Sequence, residues 1–236
     1  MEWTLILVSG LILAGLLRFS LREFESGDYR SFVGPWYEFI VENGGFLALK
    51  YKFSNYAPLY WYMLTAASYL WAGLPHLVAV KLISISFDFA CAAFVYRLVR
   101  LQYPHGLTPL GAFFAVLFAP TVVLNSSFWG QVDVVYTTGV VASVYFLAAR
   151  REAAAFVAFG LALAFKQQAV FLAPVLLILL LRRSVSWKSF LLIPAMYAAC
   201  LLPAWALGHP LDDLLTIPFQ QADYYHDLTK NAPNLY

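Results

Sequence analysis

Charged side chains are scarce in this chain. They make up 12% of its 236 residues, about half the share usual in soluble proteins, whereas hydrophobic residues make up 62%. The mean hydropathy is correspondingly high, at +0.71. No block of basic or acidic residues is present, which argues against nucleic acid as a partner. The composition predicts a polytopic membrane protein that is surrounded by lipids.

Cysteines and the common catalytic motifs are also sparse. Cys91 and Cys200 both fall within apolar segments, so we expect two small buried residues and no disulfide framework. The sequence has no Cys/His cluster, no nucleophile elbow and no glycine-rich phosphate loop. The apolar stretch Trp3 to Phe19 lacks the basic start and cleavage site of a signal peptide, and therefore predicts a first membrane span.

Apolar runs long enough to cross a bilayer recur along the chain. They predict an all-α fold, a transmembrane helical bundle of about 6–8 membrane helices, since a span needs about 20 apolar residues. We expect a single domain with four parts: a first span at 1–19, an extracytoplasmic loop at 20–55, a helical bundle at 56–207 and a polar, aromatic extracytoplasmic tail at 208–236.

The loop at 20–55 is too charged to cross a membrane. Within it, Tyr29 to Val41 carries apolar residues at helical spacing, and Gly44-Gly45 follows. This pattern predicts an amphipathic helix that lies at the membrane interface. The aromatic stretch Tyr56 to Trp71 is either a short span or a second interfacial helix.

The longest apolar run, Ala153 to Leu181, has Lys166, Gln167 and Gln168 at its centre. A lysine at bilayer depth costs about 3 kcal/mol, so it needs a partner or a water-filled cavity. We predict a polar cavity in which the ammonium meets an anion such as a phosphate. The alternative is a structural lysine that is paired with Asp88 or Asp133.

The distribution of arginines indicates an orientation. The positive-inside rule places three arginine pairs on the cytoplasmic side: Arg97 and Arg100, Arg150 and Arg151, and Arg182 and Arg183. The run around Lys166 must then be a broken hairpin of two half-helices, because one helix of 29 residues would extend roughly 43 Å. Asn125 to Gln131 and the tail would then lie outside. The loop at 20–55 would lie outside as well, provided that 56–71 does not cross the membrane.

Three further polar groups lie beside predicted spans. Asp28 precedes the amphipathic helix, where a carboxylate either caps the helix or acts as a general base at the membrane surface. Asn55 and Tyr56 either line the mouth of a cavity or belong to an interfacial aromatic belt. Lys81 and Asp88 are seven residues apart, two turns along one helix face, so both are expected to face the interior.

A fourth polar group combines Trp129, Gln131 and Asp133 between two predicted spans. A flat apolar ring beside directional hydrogen-bonding groups suits the binding of a sugar. The alternative is a polar loop in which Asp133 caps the next helix.

In their order along the chain, these motifs resemble the GT-C glycosyltransferases. The resemblance is closer to the prokaryotic relatives of the mannosyltransferase that adds the second mannose of the GPI anchor. The matching stretches are Gly44 to Leu49, Phe53 to Tyr60, Lys81 to Phe89, Asn125 to Asp133, Phe165 to Pro174 and Asn231 to Tyr236. The most specific of them are Trp129 to Asp133 and Lys166 to Gln168.

The resemblance implies a hexosyltransferase whose active site faces the non-cytoplasmic side. Its donor would be a sugar, mannose in the first place, on a polyprenyl phosphate, and its acceptor a hydroxyl of a lipid, glycan or protein. Asp28 matches the catalytic acidic residue in the first outer loop of the family, and transfer would invert the anomeric carbon. If the source is a prokaryote, the expected location is the inner membrane.

The remaining site residues are assigned to binding. Lys166, Gln167 and Gln168 are expected to hold the donor phosphate, because preorganised charge at a developing anion is a large catalytic effect. The sugar or acceptor is expected to contact five residues: Asn55, Tyr56, Trp129, Gln131 and Asp133. Asp28 and Asp133 could also share one divalent cation, which the sequence leaves open.

Two other functions stay open at this stage. A flippase or transporter for lipid-linked sugars would also need a polar cavity at bilayer depth. Because family members carry further C-terminal spans, the chain corresponds to their N-terminal module. It would then be part of a longer enzyme, or a non-catalytic module whose missing spans come from a second membrane subunit.

Overall fold

The computed structural model describes residues 2–224, and all regular elements in this part of the chain are helical, which confirms the all-α class. The α-helices are α1 (Glu2–Ser20), α2 (Gly34–Glu42), α3 (Pro58–Leu70), α4 (His76–Gln102), α5 (Thr108–Leu117), α6 (Pro120–Val123), α7 (Asp133–Ala148), α8 (Glu152–Phe165), α9 (Ala173–Leu181), α10 (Leu192–Ala206) and α11 (Leu211–Tyr224). Tighter or wider helical turns occupy Tyr29–Val33, Gly45–Lys50, Leu124–Trp129, Gln167–Leu172 and Trp187–Leu191.

Within residues 2–224, three helical segments are long and apolar enough to cross a membrane. They are Trp3–Ser20, His76–Gln102 and Trp187–Ala206. A fourth candidate is the pair Thr108–Leu117 and Pro120–Trp129, which is bent by 42° at Pro120, where the ring cannot continue a helix from the preceding turn. The fold is thus compatible with a membrane protein, and the first predicted span coincides with α1.

The sequence predicts more spans than these because several apolar runs are interrupted. The shorter apolar helices are Asp133–Ala148, Glu152–Phe165 and Gln167–Leu181. A helix of 16 residues, such as α7, rises only about 24 Å, which is less than the roughly 30 Å of a hydrocarbon core. The break expected in the longest run is present, since Lys166 adopts an extended backbone with φ −152° and ψ 132° between α8 and the turn at Gln167–Leu172.

The first loop folds as a short helical hairpin rather than as an open segment. The predicted amphipathic helix is present as the turn Tyr29–Val33 followed by α2, and Gly44, at φ 80°, ends it in the left-handed region that glycine tolerates. α2 buries Trp36, Tyr37 and Ile40 against α3 and α4. The 13-residue helix α3 is not among the span candidates, and its Tyr60, Trp61 and Leu64 are buried in the core.

Helix α4 is the centre of the bundle. It packs against α3, α5 and α7, and α8 in turn packs between α7 and α10. Close approach depends on two glycines: a Cβ at Gly139 would lie 2.7 Å from Ala162 Cβ, and one at Gly160 would lie 2.9 Å from Met196 Cβ. Small residues at such crossings let apolar helices come into van der Waals contact.

A buried ion pair joins α1 to α4. Arg18 donates to Asp88 Oδ2 through Nη2 at 2.8 Å and through Nε at 3.0 Å, and Ser126 donates to the same oxygen at 2.6 Å. Arg18 also donates to the backbone oxygens of Ala14 and Leu117. As expected from their spacing, Asp88 and Lys81 are both buried, but they have different partners.

Removal of this pair should destabilise the bundle strongly. Arg18→Met leaves the Asp88 carboxylate buried without its counter-charge, for which we expect a loss of about 3–5 kcal/mol in the free energy of unfolding. Cys91 and Cys200 are both buried, so a thiol-reactive dye reports unfolding on heating in detergent. Arg30→Met is the matched control, because the Arg30–Glu25 pair is exposed. Equal transition temperatures for the two variants would contradict this prediction, and Arg18→Met/Asp88→Leu should recover most of the loss.

Candidate functional site

One cavity of about 1030 Å³ opens beside the first loop, at the upper end of the range of small-molecule sites. All nine residues that the sequence analysis selected line it: Asp28, Asn55, Tyr56, Trp129, Gln131, Asp133, Lys166, Gln167 and Gln168. They come from four regions that are distant along the chain: the first loop, the start of α3, the α6–α7 connection and the break between α8 and α9. Their proximity is therefore a product of the tertiary fold.

The Asp28 carboxylate faces the α6–α7 connection instead of capping its own helix. Its Oδ2 accepts hydrogen bonds from Trp129 Nε1 at 2.8 Å and from Gln131 Nε2 at 2.6 Å. Ser26 Oγ accepts from the backbone N–H of Tyr29 at 3.2 Å and takes the capping role that was one alternative for Asp28. The carboxylate is thus held in place by two donors that come from about 100 residues away.

The stretch Asn125 to Gln131, expected to be a polar loop, is largely helical. The turn Leu124–Trp129 continues α6 and ends at Gly130, whose φ of 79° favours glycine. This change of direction separates Trp129 from Gln131, yet both side chains reach Asp28. Helix α4 holds the Gln131 backbone, because the Gln131 carbonyl oxygen accepts a hydrogen bond from Ser84 Oγ of α4 at 2.7 Å.

Lys166 has a carboxylate partner on the cavity wall. Its Nζ lies 2.5 Å from Asp133 Oδ1, and Asn125 Nδ2 donates to Asp133 Oδ2 at 3.1 Å. Of the two partners considered for a structural lysine, Asp133 is therefore the one in contact, whereas Asp88 pairs with Arg18. Asp133 is the first residue of α7 but makes no capping bond with its side chain.

The Lys166–Asp133 pair borders the cavity rather than a dry interior. The side chains are 17% and 37% exposed, and the Lys166 Nζ lies 5.7 Å from the centre of the Tyr56 ring. Gln167 and Gln168 begin the helical turn after the break and are exposed. The extended backbone at Lys166 thus directs three consecutive polar side chains toward one opening.

Aromatic rings form another part of the cavity wall. Tyr56 lies between Trp36 and Tyr60, with ring centroids 5.3 and 5.4 Å apart, and Phe32 extends the wall. The Tyr60 hydroxyl is fully buried and has no hydrogen-bond partner among the described residues. Phe32, Trp36 and Tyr60 were not among the predicted site residues, although Phe32 and Trp36 are on the apolar face of the predicted amphipathic helix.

Tyr29, which follows Asp28, is neutral at physiological pH. Burial, together with the nearby side chains of Glu38, Glu25 and Tyr37, raises the pKa of Tyr29 to about 12. The carboxylates that line the cavity are those of Asp28 and Asp133.

The donor set fits a metal ion poorly. Among residues 2–224, no group of three or more His, Cys, Asp or Glu side chains is close enough together to hold one. Asp28 already accepts from an indole and an amide, and Asp133 from an ammonium and an amide.

The closing motif of the sequence, Asn231 to Tyr236, lies outside the described residues. No family model matches this chain, and no curated protein matches it significantly. The likeness to GT-C enzymes accordingly rests on the motifs themselves.

Proposed function

We propose that this chain is a multi-pass membrane glycosyltransferase of the GT-C type that moves a hexose, mannose in the first place, from a polyprenyl phosphate to an acceptor hydroxyl. The observation that carries the proposal is the shared cavity: the acid of the first loop and the Lys166-Gln167-Gln168 group line one opening. A base for the acceptor and a cation for the leaving phosphate are the two groups that such a transfer needs.

Asp28 would act as the general base. Trp129 and Gln131 hold one of its oxygens, which fixes the direction in which the carboxylate accepts a proton. The acceptor oxygen forms a bond to the anomeric carbon as its proton passes to Asp28, and the bond from that carbon to the phosphate oxygen breaks. Attack from the side opposite the phosphate inverts the configuration.

Lys166 would stabilise the departing polyprenyl phosphate. An ammonium has three N–H donors, so it can keep its contact with Asp133 while it donates to a phosphate oxygen. Gln167 and Gln168 add neutral donors at the same opening. Asp133 thus has two proposed tasks: it orients Lys166, and with Asn55, Tyr56, Trp129 and Gln131 it contacts the sugar or acceptor.

The proposed setting is a lipid bilayer, with the cavity on the non-cytoplasmic side. Span candidates of the required length, a bend at Pro120 and a break at Lys166 support a bundle in which irregular backbone lines a polar cavity. The chain would form a single transmembrane domain equivalent to the N-terminal module of longer family members. A second membrane subunit that supplies further spans is compatible with this assignment.

The rival function is transport of a lipid-linked sugar. Broken helices with polar groups at the break are typical of transporter binding sites, and Lys166 has that arrangement. The two functions differ in one chemical event, because only a transferase cleaves the bond between the sugar and the phosphate.

The test is to incubate the purified chain in liposomes with a panel of radiolabelled polyprenyl-phosphate hexoses and candidate acceptors, with and without a chelator. We expect release of free polyprenyl phosphate with at least one donor. Movement of intact donor between leaflets without cleavage would support transport instead. If neither cleavage nor movement of the donor is observed, even after reconstitution with copurifying membrane proteins, the chain is a non-catalytic module. That result would contradict the proposal.

A further inference from the structure

Lys81 is a buried cation whose ammonium donates its hydrogen bonds to the backbone of the first loop. Its Nζ donates to the carbonyl oxygens of Phe24 at 2.7 Å, Leu21 at 3.0 Å and Arg22 at 3.3 Å. The residue is 1% exposed, and no ion pair joins it to a carboxylate within the described part of the chain. Its three N–H groups therefore match three oxygens just after the end of α1.

The same lysine also contacts the segment that holds Asp28. Its stem passes beneath Gly130, where a Cβ would lie 3.6 Å from Lys81 Cγ and 3.7 Å from Cε. The Phe24 ring stacks on Phe128, which joins the first loop to the segment before Gly130, with centroids 3.7 Å apart and planes at 14°. Lys81 is thus in contact with both chain segments that meet at Asp28.

A second side chain on the same face of α4 strengthens this arrangement. Ser84, about one turn after Lys81, donates to the carbonyl oxygen of Gln131. One helix face therefore fixes the chain four residues before Asp28 and the backbone of one of its two donors. A reactive side chain must stay within a small distance of its productive position, and support from a packed helix holds it there.

We infer that Lys81 is a positioning residue for Asp28: its three hydrogen bonds set where the first loop turns, so that the carboxylate reaches Trp129 and Gln131. The expected effect of Lys81 on the rate rests on the proposed function. The positioning of Asp28 by Lys81 does not depend on that function. An apolar side chain of equal length would fill the space but remove the donor from three partly buried carbonyl oxygens.

The kinetic test compares Lys81→Met with wild type and with Lys188→Met, an exposed lysine at the other end of the bundle. We expect Lys81→Met to lower kcat by about 10²-fold with little change in donor KM, as for a misplaced catalytic group. In the Asp28→Asn background the same change should cause no further loss. An equal loss in both backgrounds, or a change in KM alone, would overturn the inference. Lys81→Arg should restore part of the rate.

An activity-independent readout separates this inference from the proposed function. With 5-fluorotryptophan incorporated, the ¹⁹F resonance of Trp129, assigned through Trp129→Phe, reports the indole bond to Asp28. We expect Asp28→Asn and Lys81→Met to move this resonance in the same direction, and Lys188→Met to leave it at the wild-type position. If neither wild type nor any variant transfers sugar but this pattern holds, the positioning role stands and the glycosyltransferase proposal fails. A wild-type resonance in Lys81→Met overturns the positioning role.

A folding control accompanies both tests. If the thiol-dye assay shows that Lys81→Met does not fold, Ser84→Ala replaces it, since that variant frees the Gln131 carbonyl but keeps the three hydrogen bonds of Lys81 to the first loop. It should shift the same resonance and lower kcat in the same direction, by a smaller factor. An unchanged resonance in folded Ser84→Ala would overturn the role of this α4 face.

Discussion

Asp28→Asn should lower sugar transfer by about 10²–10⁴-fold while the protein still folds and inserts. The amide has the same shape as the carboxylate and retains one oxygen that can accept from Trp129 or Gln131. It cannot take the proton of the acceptor hydroxyl. Turnover is measured as release of polyprenyl phosphate from the labelled donor, at donor concentrations on both sides of KM.

Glu23→Gln is the matched control for this variant. Glu23 lies in the same loop but is exposed and pairs with Arg22 at the surface, where an ion pair contributes little. It should behave like wild type. Unchanged turnover in Asp28→Asn, with the thiol-dye transition also unchanged, would remove Asp28 from the chemistry.

Lys166→Met should reduce both donor binding and turnover. Loss of one preorganised charge at a developing anion typically costs about 10²–10³-fold in rate. In this protein the loss is compounded, because Asp133 then faces the cavity without its cation and repels the donor phosphate. The measurements are donor KM, kcat and binding of a non-cleavable donor analogue.

A double variant separates the functional role of Lys166 from a structural one. In Lys166→Met/Asp133→Asn the uncompensated carboxylate is gone, so stability should recover toward wild type. If Lys166 serves only to neutralise Asp133, donor use should recover as well. We expect donor use to stay low in the double variant, and its full recovery would assign Lys166 to structure.

The sequence predicts the all-helical class and the break of the longest apolar run at Lys166. The apolar run Trp3 to Phe19 correctly indicates α1, and helical spacing correctly indicates the amphipathic helix before Gly44, since both signals are local. The number of spans stays a prediction, because the bend at Pro120 and the break at Lys166 divide apolar stretches into shorter helices.

The site is predictable as a set of residues but not as a set of contacts. A polar side chain within an apolar run is informative by itself, which is why Lys166 could be selected. Asp28 was selected from its place before the amphipathic helix and from the resemblance to GT-C enzymes. Their partners depend on folding over long separations: Asp28 bonds to Trp129, and Lys166 to Asp133. Arg18 was missed because an arginine near the end of a span usually reaches toward water, whereas here it turns inward to Asp88.

The central claim is that one sugar phosphate occupies the cavity between Asp28 and Lys166. The most direct test is a structure of the chain in a lipid nanodisc with a non-cleavable phosphonate analogue of a polyprenyl-phosphate hexose. We expect the phosphonate oxygens to lie within hydrogen-bonding distance of the Lys166 ammonium, and the anomeric carbon to face the Asp28 carboxylate. An analogue bound elsewhere, or a lysine still in contact with Asp133 alone while the sugar points away from the first loop, would contradict it.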